Sequence, residues 1–151
     1  MTASYVQVWV HYIFSTKHRF GFLEDRATRK EVHRYLGVMV KNLGAPLRIV
    51  DGVADHVHIL CGQPKTLPIA EFVKELKRTS SIWIKEQFPN LDTFSWQRGY
   101  GAFSVSQSAL TRVHAYIADQ EQHHRSTSFE DEFVKFLKKH RITFKEESIW
   151  D

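Results

Sequence analysis

The segment Asp55-His56-Val57-His58-Ile59-Leu60 most narrowly limits what this chain can fold into. Its alternation of imidazole and aliphatic side chains has the period of a β-strand, where successive residues face opposite sides. Both imidazoles then share one face. Further on, Tyr116-Ile117-Ala118-Asp119-Gln120 carries the helical counterpart, because residues four apart share a helix face. A phenol, an amide and two imidazoles so arranged can supply a divalent-metal site and a tyrosine nucleophile. That chemistry suits breaking and rejoining a phosphodiester in nucleic acid.

The 151 residues, 42% apolar and 13% aromatic, suffice for one domain spanning 1–151 with a well-packed core. Twenty-one Lys and Arg against 17 acidic residues give +4, compatible with nucleic acid without demanding it. Cys61 stands alone, which excludes an intramolecular disulfide and a cysteine-based zinc site. Within Ile59-Leu60-Cys61 it reads as a small buried hydrophobe. No stretch approaches the roughly 20 apolar residues of a membrane span, and no leader pattern opens the chain. The expected setting is a reducing cytoplasm, away from membranes.

Val6 to Phe14 is rich in β-branched and aromatic residues and predicts a strand covered on both faces. A helix follows from about Asp25 to Leu43, with Gly44 as its cap and Pro46 beyond. Leu47–Val50 and Val57–Leu60 predict a hairpin turning at Asp51-Gly52 or Ala54-Asp55. Pro68 opens a second helix whose apolar stripe ends near Phe88. Trp96 to Val105 predicts strand material around a tight turn shaped by Arg98-Gly99 and Gly101-Ala102. A third helix is expected from about Ser106 to His123, and Ser128-x-x-Asp131 resembles a capping box opening a fourth, Phe129 to His140. The order predicts an α+β domain: an antiparallel sheet of four to five strands with helices packed on it, ferredoxin-like or RRM-like.

Each chemical reading has a plainer rival. With nine histidines, one H-x-H arises readily by chance. Tyr116, with Val113 and Ile117, reads equally as the buried stripe of a helix. Lys17 and Arg19, and Lys74, Lys77 and Arg78 along the second helix, suit phosphate contacts in DNA, or simply a solvated face. His123-His124 reads as a second metal pair or, preferably, as polar residues near a helix C-terminus.

Taken together, the motifs resemble the one-tyrosine HUH transposases of small bacterial and archaeal insertion sequences. The resemblance rests on His11-Tyr12-Ile13-Phe14-Ser15-Thr16-Lys17-His18-Arg19, on His56-Val57-His58, and on Trp96 to Ser106. Tyr116-Ile117-Ala118-Asp119-Gln120 with His123-His124, the ending Ser128-Phe129-x-x-Glu132-Phe133 and the late Trp150 extend it. It implies the HUH nuclease fold, with His56, His58 and Gln120 as metal ligands for magnesium or manganese, and Tyr116 as nucleophile. It implies hairpin-bearing single-stranded DNA as substrate and a covalent 5′-phosphotyrosine that leaves a 3′-hydroxyl. It further implies a homodimer whose sites combine the histidines of one chain with the tyrosine of the other, and no accessory domain. Asp119 departs from the asparagine of many relatives. The alternatives are a domesticated relative acting on chromosomal palindromic repeats, and a non-catalytic nucleic-acid-binding module of the same fold.

Overall fold

Strand β1 (Trp9–Ser15) runs between two antiparallel neighbours in a computed structural model that describes residues 2–149. On one side lies β3 (His56–Gly62), with β2 (Leu47–Gly52) beyond it; on the other lies β4 (Gly101–Val105). The four-stranded order β2-β3-β1-β4 is the expected ferredoxin-like one and puts the histidine strand inside the sheet. The outer edge of β4 pairs with no strand among the described residues.

Alternation along the two central strands sorts their side chains between two layers. Val10, Tyr12 and Phe14 of β1 and Val57, Ile59 and Cys61 of β3 face α1 (Arg26–Asn42) and α2 (Ile69–Gln87). There they meet Val32, Leu36, Val40, Phe72, Leu76 and Ile84, all buried. Fully burying such a side chain contributes roughly 1.5–3 kcal/mol, so this layer carries most of the apolar stabilisation. The opposite face presents His11, Ile13, His56, His58 and Leu60 to the C-terminal helices. Leu60 packs with Leu110 and Ile117 of α3 (Leu110–Ala118), and Ile13 and Phe103 with Phe129 and Leu137 of α5 (Phe129–Lys139). The register sets Ile13 opposite His58 and Ser15 opposite His56.

The punctuation follows the sequence. Asp25 caps α1 by accepting from the Thr28 amide at 2.9 Å, and Ser128 caps α5 by accepting from that of Asp131 at 3.2 Å. Gly44, at φ 87°, takes the left-handed conformation just past α1.

Three expectations change. The helix expected over 106–123 is broken at Asp119 (φ −102°, ψ 22°) into α3 and α4 (Gln120–His123). Aspartate is a weak helix former, and the break turns Gln120 fully inward. Pairing of the fourth strand starts only at Gly101, because Gly99 at φ 84° turns the chain; Trp96 makes one isolated bridge to Thr16. The first strand starts at Trp9, leaving Val6 and Val8 exposed. A short helix α6 (Glu146–Ile149) was not foreseen, and Trp150 lies outside the described residues.

The hairpin before His56 tolerates little. A Cβ on Gly52 would sit 2.3 Å from the His56 carbonyl oxygen and 3.0 Å from Val57 Cα, both backbone atoms with nowhere to move. Gly52→Ala is expected to lower stability by about 1–3 kcal/mol, the usual range for overpacking. Denaturant unfolding reads this directly; an unchanged midpoint would contradict the tight approach.

Candidate active site

A carboxylate not among the residues expected from sequence organises the face of the sheet beneath the C-terminal helices. Glu132, on α5, is 1% exposed and stands among buried imidazoles. Its Oε1 lies 3.0 Å from His58 Nε2, 3.2 Å from His56 Nε2 and 3.1 Å from His124 Nε2. Its Oε2 accepts from Gln120 Nε2 at 3.2 Å and from the Tyr116 phenol. Gln120 Oε1 is 3.2 Å from His56 Nε2, and Tyr116 Oη 3.2 Å from His123 Nε2. His56, His58, Tyr116 and Gln120, the four residues named from sequence, thus meet within one chain. The resemblance implies a partner's tyrosine; here the chain's own Tyr116 reaches its own histidines, because Leu110 and Ile117 seat α3 on Leu60 of the histidine strand.

The hydrogen-bond partners behind the rings fix where the protons are. His56 Nδ1 faces the Asp55 carboxylate at 2.7 Å, and His124 Nδ1 the Thr127 carbonyl at 2.6 Å. Both partners only accept, so both Nδ1 atoms carry the proton and the Nε2 lone pairs point inward. His58 Nδ1 rests 2.7 Å from Nε2 of buried His11, whose ring stands edge-on to Phe136. His124 Nε2 is buried and, despite its 3.1 Å approach to Glu132, lacks a well-directed hydrogen bond. Lone pairs converging on a carboxylate oxygen call for a cation between them.

His56, His58, His124 and Glu132 offer ligand atoms that all lie within 4.8 Å of one another. Ligands about 2.1 Å from one ion at right angles stand about 3 Å apart, the spacing seen around Glu132. Imidazoles with a carboxylate suit a divalent transition ion. A metal therefore fits the residues present, with the Gln120 amide at the edge of the set.

The electrostatics agree with a coupled cluster. Burial would lower His56, but Asp55 and Glu132 outweigh it and raise it. Burial brings His58 down to about 4 against the opposing pull of Glu132, leaving it neutral. Burial would raise Glu132, yet the neighbouring His124, His56 and His58 hold it well below the usual carboxylate range. Burial, then the Glu132 hydrogen bond, push the Tyr116 phenol far up.

Of the basic residues proposed from sequence, Lys17 and Lys74 are exposed. Arg19 pairs with Glu130, and Arg78 with Glu75 at 2.8 Å. Lys77 donates to the carbonyls of Gln97 at 2.8 Å and Gly99 at 2.5 Å, and burial lowers it to about 8. Asp119 is exposed. His124, read as a polar helix end, belongs to the cluster instead. Glu132 had a signal in the sequence: it interrupts the apolar stripe of Phe129, Phe133, Phe136 and Leu137, where a lone carboxylate needs buried partners.

Comparison with known proteins gives a consistent picture. The family model described as Transposase IS200 like matches residues 4–120, which include His56, His58, Tyr116 and Gln120 and end before His124 and Glu132. The transposases for insertion sequence element IS200 of Salmonella typhimurium LT2 and Salmonella typhi are each 29% identical over 119 residues, 73% of this chain and 74% of theirs. A crystal structure from Deinococcus radiodurans R1, of a protein assigned as a transposase, is 27% identical with a TM-score of 0.63, over 80% of this chain and 96% of that one. A REP-associated tyrosine transposase bound to a REP hairpin shares the fold, with a TM-score of 0.58 at 14% identity over 82% of this chain and 73% of that one.

Asp55 holds the His56 ring from outside the cluster, so its loss isolates ring orientation. Asp55→Asn is expected to weaken manganese binding by about 10–100-fold, and His58→Ala by at least as much. Titration calorimetry on variants with unchanged circular dichroism checks this. Unaltered manganese affinity in both would remove the metal from this cluster.

Proposed function

Because the chain belongs to the IS200-like transposase family, we propose that it cuts and rejoins single-stranded DNA at hairpin-bearing element ends through a covalent 5′-phosphotyrosine at Tyr116. The observation that carries this reading is the meeting of the Tyr116 phenol with the His56–His58 pair on one buried carboxylate, Glu132. His56, His58 and Gln120 would hold magnesium or manganese, with Glu132 and His124 completing the set. Such an ion supplies Lewis acidity at a phosphate and a template for its oxygens.

The chain's own groups account for the rest of the step. In this structure the phenol is held protonated, since burial and Glu132 raise it. It becomes a nucleophile when its proton passes to a neighbour, and Glu132 and His123 are the acceptors within reach of Oη. The Tyr116 oxygen–phosphorus bond then forms as the phosphorus–O3′ bond breaks, and the departing 3′-oxygen takes up a proton. Because one phosphodiester replaces another, the later rejoining needs no nucleotide cofactor. Lys17, Arg19, Lys74, Lys77 and Arg78 remain proposed DNA contacts, best supported for the exposed Lys17 and Lys74.

Tyr116→Phe removes only the phenolic oxygen, so hairpin binding is expected to persist while cleavage and the covalent adduct vanish. Denaturing gels with labelled hairpin strands read both; an adduct persisting in this variant would move the nucleophile to another tyrosine.

A dimeric version of this reading is favoured by the open edge of β4, which can continue the sheet into a second copy. We propose a homodimer in which α3 of each chain serves the partner's histidines, exchanged from the arrangement within one chain. Co-folded mixtures of Tyr116→Phe and His56→Ala chains are then expected to recover part of the cleavage that neither variant shows alone. A verified heterodimer that binds hairpin but never cleaves would assign each site to a single chain.

A further inference from the structure

Beside Tyr116 the surface opens into a cleft of about 280 Å³ whose walls carry Arg112, Lys135 and Lys139. Helical spacing brings them there. Arg112 precedes Tyr116 by four on α3, and Lys135 and Lys139 lie four apart on α5, on the side that also presents Glu132. His11 of β1 and His123 also border the cleft, and Val113 and Phe136 give it an apolar lining.

The three cations differ from the basic residues considered from sequence. Among the described residues Arg112, Lys135 and Lys139 are exposed and make no ion pair, whereas Arg19 and Arg78 are paired and Lys77 is spent on carbonyls. The one carboxylate bordering the cleft is Glu132, already engaged by the imidazoles, Gln120 and the phenol. The mouth therefore has three positive charges and no exposed negative one. Its volume falls just below the range of ligand pockets, about 300–1,000 Å³, which suits one nucleotide's breadth of a strand and excludes a duplex. A hollow of about 480 Å³ lined by Gln97, Arg98 and Tyr100 is larger but does not reach Tyr116.

We infer that this cleft receives the backbone of a single nucleic-acid strand, with Arg112, Lys135 and Lys139 gripping the phosphates next to the one that Tyr116 attacks. The inference rests on the nuclease reading above and adds the side from which the strand enters. Val113 and Phe136 would then lie against a sugar or base while the cations hold its flanking phosphates.

The test is the salt dependence of binding to a fluorescent single strand carrying a hairpin. Each phosphate contact on a single strand contributes about 0.7 to the slope of log affinity against log salt. Replacing Arg112, Lys135 and Lys139 together by glutamine is expected to lower that slope by about 2 and weaken binding about tenfold or more at low salt. Each single replacement should take a part of this. Lys41→Gln, the same charge change on α1, should leave both unaltered, and manganese affinity of the triple variant should match the wild type, showing an intact cluster. If the wild type binds and cleaves the strand while the triple variant keeps its slope and affinity, the cleft is not the entry and the nuclease reading stands. If the wild type neither binds nor cleaves, both fall.

Discussion

The site depends on burying one carboxylate. Taking Glu132 out of water costs several kcal/mol unless charge and hydrogen bonds replace its hydration. Here the Gln120 amide and the Tyr116 phenol donate to it and His56, His58 and His124 surround it, and the carboxylate stays ionised at 1% exposure. The consequence is architectural. Glu132 joins α5 to β3, to α4 through Gln120 and to α3 through Tyr116. Helices α3, α4 and α5 and a strand distant from them in sequence are thereby held at one point, which is what a reaction needing both an electrophile and a nucleophile requires.

The outer hydrogen bonds decide how that point behaves. Asp55 and the Thr127 carbonyl each fix a tautomer, so His56 and His124 turn lone pairs inward, while His58 Nδ1 rests against Nε2 of His11. Rings oriented in this way lose little freedom when they take up an ion. The same enclosure keeps the Tyr116 phenol protonated in the free protein. Beside this interior, the Arg112, Lys135 and Lys139 rim supplies the positive field that a phosphate backbone seeks.

Much of this was legible before the fold was known, because period carries it. The alternation at His56-Val57-His58 placed both rings on one face, and the register confirms β3 as an inner strand. The capping residue Ser128 marked a helix start correctly, as local hydrogen bonds do, and the helix expected from about Asp25 begins at Arg26 with Asp25 as its cap. What depended on distant packing was hidden. The kink at Asp119 arises from turning Gln120 into a cluster built by α5, seventy residues from the histidine strand. Glu132 and His124 announce themselves only as polar residues at positions whose partners cannot be known from local spacing. Likewise the basic residues of α2 looked available, yet Lys77 and Arg78 are consumed by neighbours, while Arg112, Lys135 and Lys139 are not.

If these side chains hold a metal, one ion sits among them, next to the phenol. Diffraction from crystals equilibrated with millimolar manganese, using its anomalous signal, locates such an ion without reference to activity. One peak is expected about 2.0–2.3 Å from the Nε2 atoms of His56 and His58, bordered by Glu132 and Gln120. A map with no peak there, or with manganese bound only elsewhere, would contradict that placement.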